Sequence, residues 1–231
     1  MAKNHTITVS LTEQPSTFTD LKSFSGFTLA EVLITLVIIG VIAAMTIPTL
    51  INKTNNQEYV SRLKKAYSAM AQATNKIITD EGNPNASIGG WATSPDAIYE
   101  MYKKYLSKAK DCGTNNDECF GQYLRMDGTV LTVTSAKALV MADGTKIAMG
   151  NGDFSDNCSK RGNGSEDVCQ FIMVDVNGSK GPNRVGRDTF HLALKADGIF
   201  PAGCDYDGGC SSTTKGWGCA CKVIRENAMN Y

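Results

Sequence analysis

A chain of 231 residues with 23 Lys and Arg against 23 Asp and Glu has a formal net charge of zero, so its charge offers no footprint for nucleic acid. Only two histidines, His5 and His191, stand beside eight cysteines and 22 glycines, which leaves little from which to assemble a Cys-His or Ser-His catalytic pair or a zinc-hydrolase histidine pair. Neither charge nor cysteine is spread evenly. Residues 27–51 contain one charged residue, Glu31, and all the cysteines fall between Cys112 and Cys221.

Residues 1–26 hold Lys3, Glu13, Asp20 and Lys22 and no continuous apolar core. They therefore differ from an ordinary secretory signal, in which an apolar core precedes the cut. Residues 27–51 follow as an apolar stretch of membrane-helix length, since about 20 residues at ~1.5 Å rise cross a hydrocarbon core of ~30 Å. A carboxylate in such a helix calls for a partner or a task. If the chain is cut after Gly26, Phe27 acquires an α-amino group and Glu31 becomes the fifth residue, able to neutralise that amine or the amine of a neighbouring copy shifted along an assembly axis. The plainer alternative is a glutamate snorkelling from the end of a signal anchor.

The string Gly26-Phe27-Thr28-Leu29-Ala30-Glu31-Val32-Leu33-Ile34-Thr35-Leu36 resembles the processing site of type IV prepilins and of the pseudopilins of type II secretion. Gly40 and Pro48 fall where type IV pilins often carry a helix-loosening glycine and a kinking proline. The resemblance implies a prepilin peptidase that cuts after Gly26 on the cytoplasmic face and N-methylates Phe27. It also implies assembly through Glu31 with other pilin or pseudopilin subunits, driven by an inner-membrane assembly platform. The expected location is a single pass in the inner membrane with the head outside the cytoplasm, followed by an extracellular or periplasmic filament. A minor pilin whose Cys-rich head binds a surface, a secreted substrate or DNA is the alternative.

Beyond the anchor, Val60, Leu63, Tyr67, Met70, Thr74 and Ile77 recur at intervals of three and four, the signature of one helical face. Asn52, Lys53, Gln57, Lys64, Lys65, Gln72 and Asn75 supply the polar reverse, and Gly82-Asn83-Pro84 is a helix stop. The spacing predicts one helix over 27–81, about 80 Å long, with a membrane half over 27–51 and an amphipathic half over 52–81. Pro48 and Gly40 should bend or loosen it.

Residues 82–231 are ample for one compact head, expected to be α+β with an antiparallel sheet on the amphipathic half of the long helix, a pilin-like arrangement. Ser94-Pro95 offers an N-cap and first-turn proline for a helix to about Lys108, with Ile98, Met101, Tyr102, Tyr105 and Leu106 inward. Strands are expected at 129–134, 171–176 and 190–194, with a hairpin of 138–141 and 146–149 around Asp143-Gly144. Cysteines in an external head suggest disulfides. Local spacing favours Cys112 with Cys119 and Cys158 with Cys169, leaving Cys204, Cys210, Cys219 and Cys221 to staple the glycine-rich tail or, in the competing reading, to surround zinc. Tyr206 and Trp217 are expected on surface loops of that tail.

From Asp175 through Asn177 to Asp188 the chain offers oxygen ligands of the kind calcium takes. Gly186 occupies the position where an EF-hand-like loop needs a bidentate glutamate, and Asx-turn chemistry accounts for the composition without metal. Some major pseudopilins bind calcium near their C-terminus, so the resemblance leaves calcium open.

Overall fold

The computed structural model describes residues 26–106, 110–114, 119, 121–133, 136–162, 165–205, 209–211 and 213–231. Residues 1–25 of the expected leader, which runs to Gly26, lie outside them, as do Lys108 and Tyr206. By packing, the chain divides after Ile47, and residues 48–231 form the larger unit.

The first helix, α1 (Leu29–Glu81), includes both Gly40 and Pro48. Its end is chemical: Gly82 adopts φ +89°, a left-handed conformation that glycine reaches without a Cβ penalty, and its N–H bonds the Ile78 carbonyl at 3.0 Å. In the larger unit the predicted stripe faces inward. Val60, Leu63, Met70, Thr74 and Ile77 are buried, with Tyr67 partly so, while Lys53, Lys64, Lys65, Gln72 and Asn75 are exposed.

A single 3-10 turn (Ala86–Ile88) leads to α2 (Pro95–Tyr105), where Ser94 accepts a hydrogen bond from the Ala97 N–H as N-cap. The helix thus starts where the Ser-Pro pair placed it. Ile98, Tyr99, Tyr102 and Leu106 are buried, whereas Met101 and Tyr105 are half-buried. A buried pair, Tyr102 Oη and Thr74 Oγ1, lies 2.5 Å apart and joins α2 to α1, and Thr74 also bonds the Met70 carbonyl. The weakest member of the apolar stripe is therefore a satisfied polar contact.

Among the described residues nine strands follow: β1 (Lys110–Thr114), β2 (Gln122–Leu124), β3 (Val130–Thr132), β4 (Ala136–Val140), β5 (Lys146–Phe154), β6 (Lys160–Gly162), β7 (Ser165–Asp175), β8 (Thr189–Lys195) and β9 (Gly198–Pro201), before α3 (Cys219–Glu226). Seven form an antiparallel sheet in the order β1-β4-β5-β7-β8-β9, with β6 also paired to β7, and β2 and β3 form a separate ribbon. The β4–β5 hairpin turns at Asp143-Gly144 as expected, Gly144 having φ +86°. The α+β arrangement of long helix and antiparallel sheet is the pilin-like one.

Successive strand residues point to opposite faces. Ile172 and Val174 of β7, with Phe190, Leu192 and Leu194 of β8, share one core with Leu63, Met70 and Ile77 of α1. On the other face Met173 pairs with His191 and Asp175 with Thr189. That face is covered too: Met173 packs with Tyr123, Cys112 and Cys119, while Phe171 packs with Ala193 and Ala202. Strands buried on both sides read as unbroken apolar runs, which is the pattern at 171–174.

Candidate processing and assembly segment

The sequence singles out Gly26, Phe27 and Glu31, and the structure joins the last of these to the helix start. The Thr28 carbonyl accepts the Val32 N–H at 3.2 Å. The Thr28 hydroxyl accepts the Glu31 N–H at 3.2 Å, and Glu31 Oε2 accepts the Thr28 N–H at 2.8 Å and the Thr28 hydroxyl at 2.7 Å. This reciprocal exchange is a capping box, Thr-x-x-Glu, which satisfies donors that a helix terminus otherwise leaves orphaned. The carboxylate also lies where the helix dipole favours an anion. The signal stood in the sequence as Thr28-Leu29-Ala30-Glu31, and a reading of Glu31 only as partner to an amine passes over it. Both bonds from Thr28 go to Oε2, and Oε1 carries neither.

Every large apolar side chain from Phe27 to Ile51 is between 42% and 87% exposed. Such a surface in water would carry a large unfavourable hydration cost, at roughly 25 cal/mol per Å². The helix is long and apolar enough to cross a membrane, and a bilayer or the helices of neighbours would cover it. Gly26 and Gly40 have open space where a Cβ would stand.

The calcium candidates do come together, between β7 and β8. Asp175 Oδ1 accepts from the N–H groups of Asn177 and Gly178 at 3.2 and 3.0 Å, and its Oδ2 accepts the Tyr123 hydroxyl at 2.7 Å. Asp188 accepts from the Arg184 N–H through Oδ1, and from the Asn183 N–H and Asn177 Nδ2 through Oδ2. Both carboxylates are thus engaged by donors of their own loop, the Asx-turn chemistry of the sequence. Burial pushes Asp175 up to about 7, against the Tyr123 hydrogen bond and the nearby Lys146, and burial raises Asp188 as well. Among the described residues no group of three or more His, Cys, Asp or Glu side chains could hold a metal ion.

All the cysteines are in disulfides. Cys112–Cys119 and Cys158–Cys169 pair as the spacing favoured, while the tail forms nested bridges, Cys204–Cys221 and Cys210–Cys219. That pairing replaces the zinc alternative, and Cys219 and Cys221 open a short helix within the tail, α3, whose Cys219, Ala220 and Val223 are buried. Trp217 is not a free surface aromatic either. It is half-buried, its ring centroid 4.6 Å from that of His191 and under the Arg125 guanidinium at 5.7 Å. His191 is buried in the sheet, and burial lowers it to about 3, so it stays neutral near pH 7.

Residues 21–47 match the model of the prokaryotic N-terminal methylation motif. No curated protein and no solved structure matches the chain. The motif match supports a type IV pilin-like family, with a precursor anchored in the membrane by its N-terminal helix.

Proposed function

We propose that this chain is the precursor of a pilin-like structural subunit of a type IV pilus or type II secretion pseudopilus. A prepilin peptidase removes residues 1–26 and methylates Phe27. The observation that carries the reading is the methylation motif at 21–47 opening a helix whose large apolar side chains are exposed all round as far as Ile51. A structural subunit can use such a helix twice, in the bilayer before assembly and against identical helices afterwards, where a head-to-tail contact that does not close produces a filament. The capping box holds the Glu31 carboxylate within a turn of the new amine, and Oε1 is the oxygen left for the amine of a neighbour.

Two substitutions in the native cell separate processing from assembly. Gly26→Leu should leave a mature mass that still includes residues 1–26, and release of the normal mature chain from that variant would refute the site. Glu31→Ala should be cut normally yet fail to enter filaments, whereas Glu31→Gln, which keeps the cap acceptor without the charge, separates helix capping from pairing with the amine. Full incorporation of the glutamine variant would remove the charge-pairing role.

A further inference from the structure

A cleft of about 160 Å³ in the larger unit is lined by Asn56 of α1, Arg184 and Arg187 of the β7–β8 connection, and Met126, Met229 and Tyr231. Its lining contains no acidic residue. Asp188, the carboxylate nearest in sequence, is buried and accepts the backbone N–H groups of Asn183 and Arg184, leaving the guanidinium groups outside that exchange. Arg184 Nε is buried without a hydrogen-bond partner, and among the described residues neither arginine joins an ion pair. Two forked donors at one opening suit phosphate oxygens, which guanidinium groups bind in pairs of parallel bonds.

Position along α1 selects the source of the phosphate. Ile51 ends the apolar run and Asn56 lies five residues on, about 7–8 Å at ~1.5 Å per residue. A bilayer's headgroup layer adds roughly 5–7 Å to each side of its hydrocarbon core. With Ile51 at the edge of the core, Asn56 and the cleft beside it stand at the outer edge of the headgroup layer, and the exposed Lys53 lies between them. We propose that the Arg184–Arg187 cleft binds the phosphate of an anionic phospholipid headgroup, holding the subunit at the bilayer surface while its helix is anchored. The proposal rests on membrane anchoring by α1.

The test uses the full chain. Flotation with liposomes of phosphatidylcholine, after an alkaline wash, reports anchoring alone; a chain that stays at the bottom removes the anchoring premise. Native mass spectrometry of the detergent-held chain mixed with equal phosphatidylglycerol and phosphatidylcholine reports the cleft. Phosphatidylglycerol should be retained in preference. Arg184→Gln with Arg187→Gln should weaken that preference roughly thirtyfold, the scale expected for two cations at a lipid surface. Lys76→Gln with Lys110→Gln removes the same charge from residues that do not line the cleft and should leave it intact, and melting of each variant verifies the fold. Equal retention of the two lipids by a chain that floats, or an unchanged preference in the folded double arginine variant, would overturn the proposal. Displacement of the lipid by millimolar inorganic phosphate would likewise overturn it in favour of a free-anion site.

Discussion

Residues 29–47 and 59–77 belong to the same helix, and both are rich in apolar side chains, yet none of the large apolar residues in the first stretch is buried, while Leu63, Met70 and Ile77 in the second have no exposure at all. Amphipathicity accounts for the contrast. The second stretch has a polar reverse and can satisfy water on one side and a sheet on the other, whereas the first is apolar around its whole circumference and is suited to a surrounding that is not water. One helix thus serves two solvents, and only the second stretch contributes to the head's stability.

The largest expected effect tests that division. Leu63→Ala should cost the head about 2–5 kcal/mol, read from denaturant unfolding of the detergent-held chain by tryptophan fluorescence. Ile38→Ala should leave the same midpoint unchanged, and equal shifts from the two would erase the distinction. Next is the tail. Cys204→Ser with Cys221→Ser opens the outer of the nested bridges and should cost roughly 2–4 kcal/mol, again without altering the membrane half, whose helicity circular dichroism in detergent can follow.

A pH series probes the buried loop between β7 and β8. The folded Asp175 sits at about 7, above its ordinary 3.8. Its contribution to stability is therefore fully present below 3.8 and is lost as pH rises through about 7. Asparagine keeps an acceptor for the Asn177 and Gly178 N–H groups and a donor for Tyr123. Asp175→Asn should accordingly gain on the parent chain between pH 4 and 8, by up to about 4 kcal/mol; a difference that does not change with pH would contradict the burial of this charge. The smallest effect is local, in that Ser94→Ala removes the α2 N-cap and should cost about 1 kcal/mol, measured by the same unfolding assay.

What could be read beforehand followed from local rules. The stripe from Val60 to Ile77, the Ser94-Pro95 start and the Asp143-Gly144 turn each state their structure within a few residues, and the short separations of Cys112–Cys119 and Cys158–Cys169 did the same for two bridges. The missed elements take their shape from distant neighbours. The α3 helix is short, with Gly218 as its N-cap residue and no side-chain cap bond, so no start signal precedes it. Strand β9 is four residues containing Gly198 and Pro201, composition that argues for a turn until β8 supplies the pairing. The ribbon of β2 and β3 covers the outer face of the sheet through Tyr123, and its hydroxyl reaches Asp175 across 52 positions of chain. At the helix start the reverse holds: the Thr28–Glu31 box is local and legible in the four residues Thr28-Leu29-Ala30-Glu31.

The most direct test of the proposed function is mass spectrometry of the N-terminal peptide in sheared surface filaments and washed membranes of the native cell. The proposal predicts a chain that begins at a methylated Phe27, abundant in filaments for a pilus subunit and confined to membranes for a short pseudopilus. A chain that retains residues 1–26 in both fractions would contradict it.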